Sequence, residues 1–298
     1  MRRRWFIWLV MMPLWIHAEH VFEVGLHTGL AGWYAQPIYV DKQVGLHAGG
    51  QLYYHYLSPY VVGVRTGLTV DKHQAGWGKT EYEDRYSTID VEDQQMDIEY
   101  KIGRLRERYD TWSIGIPLQL SLTKNKFSFL IGPKAVIPVY STWHQTAEHA
   151  SLAVYYPDYD NRIEESFPLA ASRDFEMSNE GKWILPNVQW WLAAELSYAV
   201  PLGSWSQRHR SYLMVGVYVD FCFSKIRSAE KGAESMLMLT DTRDGFPLQR
   251  ILTPVVESQR QGRKLVSECM PYAVGITLSY AIAPYNPHSR SGKHCNCL

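Results

Sequence analysis

The chain has 298 residues, and its 30 lysines and arginines are balanced by 30 aspartates and glutamates, so the formal charge is zero. A neutral chain lacks the basic excess that nucleic-acid binding requires, and no nucleic-acid partner is expected. Beyond residue 18 no stretch approaches the ~20 continuous apolar residues of a membrane-spanning helix.

The amino end reads Met1, Arg2, Arg3 and Arg4, then an apolar run from Trp5 to Ile16, then His17 and Ala18. Basic residues, a short apolar core and a small residue are the pattern of a secretory signal peptide, expected over residues 1–18. An exported chain without a helical anchor is periplasmic, secreted or an outer-membrane barrel.

Eight segments then alternate with a period of two, the mark of a strand with two unlike faces. The first runs from Val21 to Leu30, with Phe22, Val24, Leu26 and Leu30 on one face and Glu23, Gly25, His27 and Gly29 on the other. The second, Val44 to Tyr56, sets Leu46, Leu52 and Tyr54 against His47, Gly49, Gln51 and His55. Leu57–Pro59 is a short connection to the third, Tyr60 to Val70, where Val62, Val64, Leu68 and Val70 oppose Gly63, Arg65, Gly67 and Thr69.

The fourth, Trp112 to Leu122, carries six bulky apolar residues on one face and Ser113, Gly115, Pro117, Gln119 and Ser121 on the other. A tight turn at Thr123–Asn125 leads to the fifth, Lys126 to Tyr140, with Lys134 on its polar face. Pro133 and Pro138 predict a bulge or an early end there. The sixth is Val188 to Val200, with Glu195 on the small face, and the seventh is Tyr212 to Phe223, with Asp220 and Cys222 there. The eighth, Tyr272 to Ile282, is the cleanest. Tyr272, Val274, Ile276, Leu278, Tyr280 and Ile282 share one face, and Ala273, Gly275, Thr277, Ser279 and Ala281 share the other.

The connections sort by length. Leu57–Pro59, Thr123–Asn125 and Pro201–Ser211 are short; Ala31–Gln43, Asp71–Thr111, Ser141–Asn187 and Ser224–Pro271 are longer. Short periplasmic turns and long extracellular loops are the habit of a transmembrane barrel. Loops longer than about 12–15 residues are uncommon in compact domains unless functional. Met96–Ile102 also alternates, which predicts that strands three and four extend as a hairpin beyond the membrane. Outward aromatics fall at two heights: Phe22, Tyr56, Tyr60, Phe127, Tyr198 and Tyr280 at one rim, and Trp112, Trp190, Phe223 and Tyr272 at the other. Two such girdles mark the interfaces of a bilayer. The fold class expected is therefore an all-β transmembrane antiparallel up-and-down barrel of eight strands. It fills residues 19–284, and a flexible periplasmic tail occupies 285–298.

Inside such a narrow barrel side chains fill the lumen, and charges must pair. The polar faces supply Glu23, Arg65, Lys134, Glu195 and Asp220 as an interior network, with His27, His47 and His55 beside them. The structural reading is a salt-bridged plug; the sharper one is a gated or proton-responsive interior. Cys222 and Cys269 share an interior parity near the outer ends of neighbouring strands, and a disulfide between them is expected in an oxidising compartment. His294, Cys295 and Cys297 in the tail are soft donors, three without a fourth. Asp158–Asn161 lacks the glycine and distal glutamate of a calcium loop. No metal or cofactor is expected. His144, His149 and Ser151 supply residue types of a hydrolase, yet nothing aligns them with an acid, and no catalysis is expected.

The segment WSIGIPLQLSLTKNKFSFLIGPKAVIPVY, Trp112 to Tyr140, resembles the PorT-like outer-membrane β-barrel family of Bacteroidota-type bacteria. Ile114, Ile116-Pro117-Leu118, the short basic turn and Gly132-Pro133 carry the resemblance. It implies a small barrel, one branch of whose family serves protein secretion. The last strand also resembles the signal read by the barrel-insertion machinery, through Gly275, Leu278 and Tyr280, although Ala273 stands where a large polar residue is usual. The partners expected are outer-membrane lipid, that insertion machinery and envelope proteins met through the loops. A small pore or a lipid A-modifying enzyme is the alternative function.

Overall fold

The computed structural model describes residues 19–57, 62–89, 93–163, 172–206, 209–227, 233–240 and 249–284. The expected signal peptide and the tail with His294, Cys295 and Cys297 lie outside them, as does Tyr60. In chain order the strands are β1 (Glu19–Ala35), β2 (Asp41–Leu57), β3 (Val62–Ile89), β4 (Gln95–Lys124), β5 (Phe127–Tyr156), β6 (Asn161–Ile163), β7 (Ser172–Lys182), β8 (Gln189–Ser206) and β9 (His209–Cys222). The short β10 (Ile226–Arg227), β11 (Leu237–Thr240), β12 (Gln249–Leu252), β13 (Gln259–Arg260) and β14 (Arg263–Lys264) precede the last long strand, β15 (Glu268–Pro284).

Strands β1, β2, β3, β4, β5, β8, β9 and β15 pair in that order, and β1 pairs with β15 to close the ring. Every ladder is antiparallel, and the closing one runs from Phe22 opposite Ile282 to Ala35 opposite Cys269. This is an eight-stranded up-and-down barrel, and closure removes the sheet edges that would otherwise invite aggregation. Each of the eight predicted segments lies within or overlaps one barrel strand.

The outward face of the barrel is an apolar belt. Leu26, Leu46, Leu68, Leu118, Leu120, Val217, Ile276 and Leu278 are all more than half exposed. Along β4 the belt lasts from Trp112 to Leu122. At about 3.3 Å per residue and a tilt near 45°, about 11 residues span roughly 25 Å, the height of a bilayer's apolar band. Phe22, Phe127 and Tyr198 are exposed at the end where the short turns lie, and Trp112, Trp190 and Phe223 at the other. Tyr56, Tyr272 and Tyr280 are only half-exposed.

Above Trp112 the alternation continues with its polarity reversed. Outward positions become Arg104, Arg106 and Arg108 on β4 and Glu81, Glu83 and Arg85 on β3, all exposed. Inward positions become Trp77, Leu105 and Tyr109, all buried. Below this boundary the protein is apolar outside and polar inside; above it the order is that of a water-soluble domain. The expected loop Asp71–Thr111 is thus not a loop. It is a hairpin paired as far as Ile89 opposite Gln95, which contains the predicted Met96–Ile102 extension. The expected loop Ser141–Asn187 is corrected in the same way, because β5 runs on to Tyr156 and β7 returns beside it. Pro201–Ser211 is also tighter than expected, since β8 reaches Ser206 and β9 begins at His209.

Pro138 marks a bulge. Ser113 pairs with Pro138 and Trp112 with Tyr140, so Val139 is the extra residue, and Val139 and Tyr140 are both exposed. The expected early end of β5 does not occur, because neither proline breaks the strand. Higher up, the parity of β3, β4 and β5 reverses at one level, at Glu81, Gly103 and His149. Glu81 and His149 take positive φ values of 58° and 54°. Above that row Tyr82, Tyr86, Ile98, Tyr100, Ile102, Leu152 and Val154 join Trp77, Leu105 and Tyr109 in one core completed by Met236, Leu237, Leu252, Val255 and Leu265.

This cap, on the far side of the Trp112 boundary from the short turns, holds the largest cluster of buried apolar side chains among the described residues. Polar anchors fix its crossing segment: the Tyr100 hydroxyl accepts from the backbone N–H of Met236 at 3.2 Å and of Leu237 at 3.3 Å. Ser235 donates to Asp84 at 2.8 Å, and Asn179 donates to the Leu252 carbonyl at 2.6 Å. Glu107 accepts from the Val255 N–H at 2.8 Å.

Burial pushes the Glu107 carboxyl up from 4.5 to about 8. A carboxyl with a raised folded-state pKa stabilises the docked cap fully below its free value. That contribution is lost as pH rises through the docked value. Cap docking should therefore weaken by up to about tenfold per pH unit between roughly pH 4.5 and 8. Glu107→Gln should abolish this dependence. Protease cleavage or hydrogen exchange at residues 249–265 measures it, and an equally steep pH profile in the variant would rule Glu107 out.

Candidate functional site

The lumen of the barrel holds two ionic clusters. In the first, nearer the short-turn end, Arg65 lies between two carboxylates. It donates to Glu195 in a short contact, lies 3.7 Å from Glu23, and donates to Gln119 at 2.8 Å. Its guanidinium stacks on Tyr53 at 4.2 Å from the ring centroid. His55 meets Glu23 at 2.7 Å, Ser279 donates to Glu23, and Gln51 donates to Thr277 at 2.9 Å.

In the second cluster Lys134 lies between Asp71 at 2.9 Å and Asp220 at 3.0 Å. Thr69 donates to Asp71 at 2.7 Å. His27 Nε2 stands 2.9 Å from Asp71 Oδ1. His47 stacks against His27 with centroids 5.1 Å apart, and its Nδ1 meets the Tyr218 hydroxyl at 2.7 Å.

Local sequence explains how these side chains reach one another. Lys134 crosses the lumen because Gly115 lies beneath it; a Cβ there would stand 2.4 Å from both Lys134 Cε and Thr69 Oγ1. Gly49 does the same between His27 and Asp71. In the strand register these three form one row, His27 opposite Gly49 and Gly49 opposite Asp71.

All five predicted network residues, Glu23, Arg65, Lys134, Glu195 and Asp220, are buried in the lumen, and so are His27, His47 and His55. They divide into two groups rather than one. Asp71, which bridges Lys134 and His27, is a residue the sequence reading assigns to a loop. The alternation Thr69–Asp71–His73 continues inward past Val70, and that continuation was the available signal.

Small cavities lie along the lumen. One of about 30 Å³ borders His47, Asp71, His73, Lys134 and Asp220 under Trp33, Trp183 and Trp191. One of about 20 Å³ lies by Arg65 and Glu195, and one of about 10 Å³ by Glu23 and His55. Each admits a water molecule or two and no larger solute.

The expected Cys222–Cys269 bond is absent: both are buried free thiols. In the β9–β15 register Phe221 faces Tyr272, so Cys222 faces the position of Pro271, two residues from Cys269. That offset of about 6.6 Å adds to the ~4.8 Å strand spacing and exceeds disulfide reach. His144 and Ser151 stand seven positions apart on β5, roughly 23 Å along a strand, and His144 instead meets Glu180 at 3.6 Å. They do not form a triad. Asp158 and Asp160 sit on an exposed turn, with Asp160 accepting from Tyr155 at 2.9 Å.

No protein-family model and no curated protein matches this chain. Among solved structures it is similar to Ail, the attachment invasion locus protein of Yersinia pestis, in complex with the heparin analogue sucrose octasulfate. That likeness has 8% identity, 88% coverage of this chain, 99% coverage of Ail and a TM-score of 0.22. The barrel assignment stands on the closed ladder of strand pairings.

Proposed function

We propose that this chain is an outer-membrane β-barrel protein whose barrel is a sealed anchor and whose extracellular cap carries recognition. It performs no chemistry of its own. The observation that carries this reading is the reversal of polarity along β3, β4 and β5. Lipid is the solvent that suits the outward face below Trp112, and water is the solvent above it. Outer-membrane lipid and envelope proteins are the partners that this arrangement serves. The charged clusters support a closed lumen, since they fill the cross-section where a pore would be open.

Two measurements on the refolded full chain test it. Unboiled protein should migrate apart from boiled protein in a denaturing gel. In planar bilayers it should give no steady conductance. A soluble protein after osmotic shock would refute the membrane reading, and reproducible single-channel steps would refute the sealed lumen.

The resemblance of the Trp112–Tyr140 hairpin to the PorT-like family supports a narrower reading, in which the cap and barrel belong to a protein-secretion assembly. Cross-linking in intact cells followed by co-purification of envelope proteins tests that. Recovery of the barrel without secretion components would count against it.

A further inference from the structure

We propose that the second luminal cluster is a binding site for one divalent transition-metal ion of the zinc class, held by His27, His47 and Asp71. The three project inward from the consecutive strands β1, β2 and β3, are each more than nine-tenths buried, and have ligand atoms within 4.8 Å of one another. Two imidazoles and one carboxylate are a donor set for zinc, copper or nickel rather than for magnesium or calcium.

Four further observations point to an ion. First, His27 Nε2 and Asp71 Oδ1 approach to 2.9 Å, yet neither atom makes an aligned hydrogen bond. Two buried polar atoms this close, on different strands and without an aligned hydrogen bond, are placed to serve as ligands of one ion.

Second, the other side of two of the three ligands is already held. Lys134 binds the Oδ2 oxygen of Asp71 at 2.9 Å and leaves Oδ1 to the histidines. The Tyr218 hydroxyl fixes the His47 ring from Nδ1 at 2.7 Å. Outer-shell partners of this kind orient metal ligands.

Third, the site is a cradle shaped by an absent side chain. A Cβ on Gly49 would lie 2.6 Å from His27 Nε2 and 2.7 Å from Asp71 Oδ1. The adjoining cavity of about 30 Å³, lined by His47 and Asp71, leaves room for a water as the fourth ligand.

Fourth, the charge count asks for it. Among the described residues the buried lumen holds four carboxylates, Glu23, Asp71, Glu195 and Asp220, against two cations, Arg65 and Lys134. In the second cluster two carboxylates, Asp71 and Asp220, share the single cation Lys134, so a further cation there would offset a surplus of buried negative charge.

Titration of the refolded full chain in detergent with cobalt(II) or zinc(II) tests the site, in a Cys295→Ser, Cys297→Ser background that removes the tail thiols. The expected result is one ion per chain, with a visible cobalt spectrum of an N/O-ligated, low-coordinate site. His27→Gln should weaken binding by more than about a hundredfold, and Tyr218→Phe by about 10–100-fold. His55→Gln, in the other cluster, should leave it unchanged. Should His27→Gln fail to fold, the imidazole nitrogens of the parent chain are read by NMR with and without zinc; two histidines should shift and His55 should not. Absence of binding, or binding that ignores His27 and His47 in either measurement, overturns the proposal.

Discussion

Replacing Arg65 with methionine should cost the barrel about 3–5 kcal/mol, because it strands Glu23 and Glu195 in a closed lumen with no cation between them. Arg65 is 1% exposed, and both carboxylates touch it. Removing one partner of a buried pair leaves the desolvated charge of the other uncompensated, a larger effect than the net worth of the pair itself. The triple variant Arg65→Met, Glu23→Gln, Glu195→Gln should therefore regain most of the loss. Denaturant unfolding in detergent, followed by loss of the folded gel band, gives the comparison. A single-variant loss below about 1 kcal/mol would mean that water screens these charges. The lumen would then be a wet channel and not a plug.

On the proposed membrane reading, Leu118→Arg should destabilise the protein by about 2–4 kcal/mol, the cost of a basic residue at the middle of a lipid-facing band. Leu118 is 57% exposed and lies near the midpoint of the apolar run on β4. Thr80→Arg, at an exposed position on the cap side of β3, should stay within about 0.5 kcal/mol, as surface changes do. Both substitutions place an arginine at an exposed strand position, on opposite sides of the Trp112 boundary. Equal tolerance of both would dismiss lipid as the solvent of the belt.

The fold was legible because a period of two survives wherever one face of a strand is outward and apolar and the other packs polar groups inside the ring. Strands such as Tyr272–Ile282 carry that contrast in every residue. The cap was less legible for a definite reason. A search for apolar outward residues ends at Val70 and begins again at Trp112, yet the strands do not end there. Lys72, His73, Gln74 and Ala75 still alternate, with Lys72 and Gln74 outward and His73 and Ala75 buried inside. The single-residue parity reversals at Val139 and at the Glu81–Gly103–His149 row break any fixed period further. The luminal charges could be read from parity alone, but their division into two clusters could not. That division depends on Gly115 and Gly49, whose importance lies in side chains reaching across them from other strands. The cysteine pairing failed for a related reason: parity was right, and register along the strand was off by two residues.

The continuity of β3 and β4 through the boundary has a mechanical consequence. The cap is joined to the barrel by unbroken hydrogen-bonded ladders rather than by a hinge. Tension applied at the tip near Ile89 and Gln95 would have to slide this hairpin against β2 and β5, loading many backbone bonds in parallel. A hairpin peeled from an edge yields one bond at a time; this one has no free edge inside the ring. Force applied to the cap is thus passed directly into the barrel wall.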